Sequence, residues 1–132
     1  MNDTPQPAPP IQGPTEAQIR QWNMWCHLST LGGLLVPLGN VIGPLLIWQI
    51  KKAEFPAVEV HGKAALNFQL TVLIAVVAGL IPAFVLSFFC VGWLLFPVVM
   101  LIGLAGFIFP VIAGIKANDG QEYKYPWSLT LV

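Results

Sequence analysis

His61-Gly62-Lys63-Ala64-Ala65-Leu66-Asn67-Phe68-Gln69 decides the fold, because a charged loop ends within it and a long apolar helix begins. From Ala64 to Ile115 there is no Asp, Glu, Lys or Arg, a run of 52 residues. A helix needs about 20 apolar residues to cross a ~30 Å hydrocarbon core, so this run holds two spans and a turn. Phe89-Cys90-Val91-Gly92-Trp93 lies near its middle and supplies the turn. Pro82 and Pro110 are expected to kink the two helices. Ala75, Gly79 and Ala83 on one, and Gly106, Pro110 and Gly114 on the other, put small residues four apart on packing faces.

Upstream, Gln21 to Ile50 is a second uncharged run, of 30 residues. At ~1.5 Å per residue it is too long for one crossing and too short for two. Val36-Pro37-Leu38-Gly39-Asn40 breaks it, giving a full span over residues 15–36 and a short helix over 41–52 that either spans or half-inserts and returns. Thr15, followed by Glu16 and Gln18, reads as a helix N-cap. Before it, Pro5, Pro7, Pro9, Pro10 and Pro14 leave little to bury. The expected organisation is therefore a Pro-rich disordered tail over 1–14, a helical membrane domain over 15–118 and a polar, aromatic tail over 119–132.

Composition agrees with a membrane class: of 132 residues 56% are hydrophobic and only 9% charged. Six basic residues balance six acidic ones, so there is no basic face for nucleic acid and no acidic tail for a basic partner. The start carries an acid and the first basic residue is Arg20, so no cleaved secretory signal is expected. Cys26 and Cys90 stand alone in apolar runs and read as small buried hydrophobes rather than a redox pair. No HExxH, CxxC, GxSxG or phosphate-cradling loop is present. Glu54 and Glu59 read as a solvated loop rather than a catalytic pair. The expectation is a protein that is not an enzyme and holds no cofactor or metal, since Cys26, His27 and His61 lack ligand-type spacing.

The candidate functional or packing residues are polar ones at helical spacing. Asn23, His27 and Thr30 share one stripe of the first helix, with His27 deep in an apolar stretch where an ionisable group is costly. Lys63, Asn67 and Thr71 form a second stripe, with His61 about 120° away from Asn67. Gln69 lies deeper and needs a partner within the bundle, and Asn40 sits in the break. The expected pairing sets Asn67 against Asn23, His27 and Thr30.

Several of these stretches together resemble a known family. They are Cys26-His27-Leu28-Ser29, Pro37-Leu38-Gly39-Asn40 with Gly43-Pro44, Lys51-Lys52, His61-Gly62-Lys63 with Ala65-Leu66-Asn67-Phe68-Gln69, and Tyr-x-Tyr-Pro from Tyr123 to Pro126. The chain is similar to Tic-twenty-like small bacterial membrane proteins of unknown function, grouped distantly with a chloroplast inner-envelope import subunit. The resemblance covers about Trp22 to Trp127. It implies a four-segment helical membrane protein with cytoplasmic termini, and it supplies no catalytic residues.

The expectation is an all-α membrane protein, a small bundle of about four helical segments made of three full spans and one short helix. It sits in the lipid bilayer of the inner, cytoplasmic membrane and acts by association, as a homo-oligomer or within a larger membrane complex. A small channel, transporter or translocation component is the alternative, since broken helices mark binding sites in transporters. Arg20, Lys51, Lys52, Lys63, Lys116 and Lys124 fall on one side if both hairpins form, which makes that side and both termini cytoplasmic. A cysteine placed in the N-terminal tail is therefore expected to resist an impermeant thiol reagent in intact cells. Labelling there would reverse the topology.

Overall fold

The computed structural model describes residues 13–132, so most of the Pro-rich stretch lies outside the described residues. Among the described residues the secondary structure is helical throughout, with no strand. Helix α1 is Glu16–Leu28, α2 Gly39–Lys51, α3 Ala57–Ser87 and α4 Phe96–Asn118. Thr15 starts α1 with a capping box: Gln18 N–H donates to Thr15 Oγ1 (3.3 Å), and Thr15 N–H donates to Gln18 Oε1 (2.9 Å).

The expected first span does not run to Val36. Ser29 Oγ donates to the Cys26 carbonyl (3.1 Å) and Thr30 Oγ1 to the His27 carbonyl (2.7 Å). Such side-chain bonds to the preceding turn compete with α-helical pairing. Gly32 and Gly33 follow, the poorest helix formers after proline. The chain tightens into a 3-10 helix over Ser29–Leu34 and reverses at Leu38, which is left-handed at φ 60. The returning α2 has 13 residues, roughly 20 Å, too short to cross a bilayer.

Two helices, not three, are long and apolar enough to span. They are α3, with 31 residues, and α4, which with the 3-10 turn ahead of it covers Gly92–Asn118, 27 residues. Pro82 and Pro110 lie inside them, and both helices continue through. Ile81, Phe84 and Val85 on α3, and Met100, Leu101 and Leu104 on α4, are exposed. Apolarity that is not used to fill the protein's own interior faces lipid in a membrane protein.

The first hairpin, α1 and α2, packs against the charged-end portions of α3 and α4. Gly43 lies directly against the Ser29 carbonyl, and a Cβ on Gly62 would come within 2.6 Å of Trp48 Cβ. These two positions let α2 lie close to the 3-10 segment and to α3. Hydrophobic contacts close the same end: Cys26, Phe55 and Val58 form one buried cluster, and Phe68, Ala113 and Tyr125 another.

Every described charged side chain lies at that one end, on the start of α1, the end of α2 and the loop after it, the start of α3 or the end of α4 and beyond. Lys51 pairs with Glu54 (2.8 Å) and Lys63 with Glu59 (3.0 Å). Lys51 sits over the Trp22 ring at 4.5 Å, and Lys52 and Lys63 each lie 5.5 Å from the Trp48 ring centroid. The opposite end of the spanning pair, at Phe88–Leu94, is uncharged, and so is the tip of the short hairpin at Val36–Leu38, which lies near Gln69 partway along α3.

Gly43→Val forces its side chain against backbone, so it is expected to destabilise by about 1–3 kcal/mol, read as a lower midpoint of thermal unfolding in detergent. Gly103 has open space around it, so Gly103→Ala in the middle of α4 is expected to leave the midpoint unchanged or raise it.

Candidate functional site: a buried histidine pair and its cavity

The inward stripe of α1 places Asn23 and His27 in the interior, the 3-10 segment after it adds Thr30, and His27 and Thr30 have no exposed surface. Both His27 ring nitrogens are engaged. Nδ1 is 2.7 Å from the Tyr125 hydroxyl and Nε2 is 3.0 Å from His61 Nδ1. Tyr125 reaches this depth because its ring stacks on Phe68, with centroids 4.3 Å apart and planes 15° from parallel. Burial, helped by Tyr123 and Cys26 nearby, pushes its phenol above the ordinary range, so it stays protonated.

With every group neutral the three form one chain that runs in either sense: the Tyr125 hydroxyl donates to His27 Nδ1 and His27 Nε2–H to His61 Nδ1, or His61 Nδ1–H donates to His27 Nε2 and His27 Nδ1–H to the Tyr125 oxygen. His61 Nε2 has no hydrogen-bond partner among the described residues. His61 lines a cavity of about 340 Å³ between α3 and the segment after α4, which it shares with Asn67, Glu122, Tyr123 and Tyr125.

Asn67 does not meet the α1 stripe. Its Oδ1 accepts from the backbone N–H of Leu131 and of Val132, each at 2.9 Å, and its Nδ2 donates to the Val132 carbonyl (3.4 Å). Thr71 Oγ1 accepts from Leu129 N–H (2.9 Å) and donates to the Asn67 carbonyl (2.7 Å). The second polar stripe of α3 therefore binds the C-terminal segment, which passes along the helix and reverses near Trp127, a residue at φ 56. The reason is angular. His61, turned away from Asn67, is the α3 residue that faces α1, so it takes His27 and leaves Asn67 for the backbone of residues 129–132.

A separate polar link joins α2, α3 and α4. Asn40 Nδ2 donates to Gln69 Oε1 (2.9 Å), and Gln69 Nε2 donates to the Gly106 carbonyl (2.7 Å). Lys63 stays at the charged surface with Glu59 and Trp48. Among the described residues two buried side-chain atoms have no hydrogen-bond partner, Asn23 Oδ1 and Trp48 Nε1. Cys26 is buried with its thiol directed at the Val58 carbonyl (3.9 Å).

The histidine pair, Gln69 with Asn40, and Asn67 with Thr71 thus sit in three different networks. Sequence reasoning missed Tyr125 and Glu122 as members of a site, because the spacing of residues within one helix says nothing about a segment folded back from beyond α4. Within the aromatic tail, Tyr125 is buried, while Trp127 is exposed. Among the described residues no three His, Cys, Asp or Glu side chains gather to hold a metal ion.

Two helices long and apolar enough to span a bilayer, a short hairpin packed against one end of them and a buried polar seam fit an all-helical membrane protein. The chain belongs to the magnetosome magnetite crystal formation protein family, whose model matches residues 18–132. This match overturns the resemblance to Tic-twenty-like proteins: the stretches quoted for it fall within the matched region and belong to the magnetosome family instead. No curated protein and no solved structure matches the chain.

The His27–His61 contact can be measured by a double-mutant cycle of His27→Leu and His61→Leu. The expected coupling is about 0.5–3 kcal/mol, as for side chains in one hydrogen-bonded network. Strictly additive losses of stability would remove the contact from the account.

Proposed function

We propose that this protein is a non-enzymatic, multi-pass component of the magnetosome membrane that acts in magnetite crystal formation by association, with itself or within a larger membrane complex. The observation that carries this reading is the family match across nearly all of the helical region, combined with lipid-facing helices. The buried polar groups support it. Most are spent on helix-to-helix and helix-to-tail hydrogen bonds, as expected of an assembly component rather than a catalyst.

Orientation sharpens the proposal. The positive-inside rule places the charged end, with both termini, in the cytoplasm. The uncharged turn at Phe88–Leu94 then faces the compartment where the crystal grows, and the tip of the short hairpin at Val36–Leu38 lies within the membrane. The Phe88–Leu94 turn offers no carboxylate to a mineral surface. In this reading the protein influences the crystal through the membrane and its partners, not through an acidic template.

Deleting the gene in a magnetite-forming bacterium is expected to change crystal size or number, and the wild-type chain supplied in trans is expected to restore both. Crosslinking in isolated magnetosome membranes is expected to trap species larger than the monomer. Unchanged crystals in the deletion strain would end the reading.

A further inference from the structure

Two segments enter the bundle from the charged end and turn back inside it. The first is the hairpin of α1 and α2: Asn40, two residues past the reversal at Leu38, donates to Gln69 on α3. The second is the segment after α4, where Tyr125 stacks on Phe68, and Pro126 and Trp127 share a small cavity with Ala75 and Ile102. The chain then returns along α3, with Leu129 bonded to Thr71 and Leu131 to Asn67. Gln69 and Ala75 stand six and twelve residues beyond Lys63. At the ~1.5 Å rise of a helix these depths are roughly 9 and 18 Å, which bracket the midplane of a ~30 Å hydrocarbon core.

Both reversals are apolar on the outside. Leu34, Leu35, Val36 and Leu38 at the hairpin tip are exposed, and so is Trp127 in the tail. Side chains of this kind at that depth face acyl chains. Farther along, α3 and α4 continue with only the turn between them for company: Phe84 and Val85 on one and Met100 and Leu101 on the other are exposed, and Leu80 and Trp93 line an open apolar groove. The leaflet at the charged end therefore holds four helices and a folded-back segment, and the other leaflet holds two helices.

We propose that the protein acts as a wedge on the bilayer: it expands the leaflet at its charged end and favours membrane curved so that this leaflet is the convex one. Each helix is about 10–12 Å across with its side chains, and the cross-sections of α1 and α2 are added to one leaflet only. Segments inserted into a single leaflet are sensitive to curvature for this reason. Copies that associate the same way up add their wedges. With the charged end cytoplasmic, the expanded leaflet is the outer, convex one of a compartment enclosed within the cell. That agreement alone rests on the proposed function.

The test uses the purified full chain in giant phosphatidylcholine vesicles, with a dye on Cys90, which is exposed while Cys26 is buried. Cys90 lies at the far turn, so an impermeant quencher added outside silences molecules whose charged end points inward and leaves those whose charged end points outward. A thin membrane tether is drawn from each vesicle, and dye relative to lipid fluorescence is compared between tether and vesicle before and after quenching. Outward molecules are expected to be enriched in the tether and inward molecules depleted. A ratio of one or below for outward molecules, or equal ratios for the two orientations, overturns the wedge. Depth is read separately with Leu35→Cys in a Cys90→Ser background, carrying a small fluorophore; Leu35 is 86% exposed, so the change removes little packing. Nitroxide lipids labelled near the bilayer centre are expected to quench it most. Strongest quenching by a headgroup nitroxide puts the tip at a surface and overturns the wedge as well. Neither measurement uses cells, so a failure here is separable from unaltered crystals in the deletion strain, which would retire the proposed function and leave the wedge standing.

Discussion

A neutral imidazole with no exposed surface needs a partner at each nitrogen, and His27 draws three distant parts of the chain together to obtain them. Leaving a buried donor or acceptor unpaired costs about 1–3 kcal/mol in a protein interior, and where lipid surrounds the protein no water can substitute. His61 must therefore point from α3 toward α1, and Tyr125 must be carried back from beyond α4 to the same point. Once Tyr125 is there, Phe68 provides the stacking surface, and Asn67 and Thr71 hold the returning backbone. The tail is thus part of the bundle, stitched along α3 by side-chain bonds to its own backbone.

The short first hairpin follows from competition of another kind. Ser29 and Thr30 tie themselves to the carbonyls of the turn before them, and the glycines after them cannot restore a helix. The result is a wedge whose two helices are each about 20 Å long, placed against the end of the bundle where the charges are. Lysines there lie over aromatic rings instead of pointing freely into water. That end is the polar, hydrogen-bonded and electrostatically busy half of the molecule, and the other half is hydrocarbon.

How much of this was legible in the sequence depends on the range of each interaction. The spanning pair could be read because 52 uncharged residues have few other uses. The break near Pro37 and the cap at Thr15 are local and could be read as well. The length of the first helix was overestimated, because hydropathy does not register a backbone captured by Ser29 and Thr30. Within the site, helical spacing separated His61 from Asn67 by face and so gave both their directions. It could not say which face met α1, and the pairing chosen, Asn67 with His27, was the wrong one of the two. Tyr125 and Glu122 lay beyond the reach of any periodicity, since only the folded chain brings residues about sixty positions apart to one cavity.

The confinement of every described charge to one end also bears on how the protein is made. Each hairpin can enter a bilayer from the side on which it is synthesised; the Phe88–Leu94 loop, which must travel through the hydrocarbon, takes no ionised group with it, and neither does the Val36–Leu38 tip of the short hairpin, which goes only part of the way. Moving a Lys, Arg or Asp to the middle of a membrane costs about 2.5–3.5 kcal/mol on insertion scales. Neither loop meets that barrier, and a single lysine placed in Phe88–Leu94 would bring charge translocation into a pathway that otherwise lacks it.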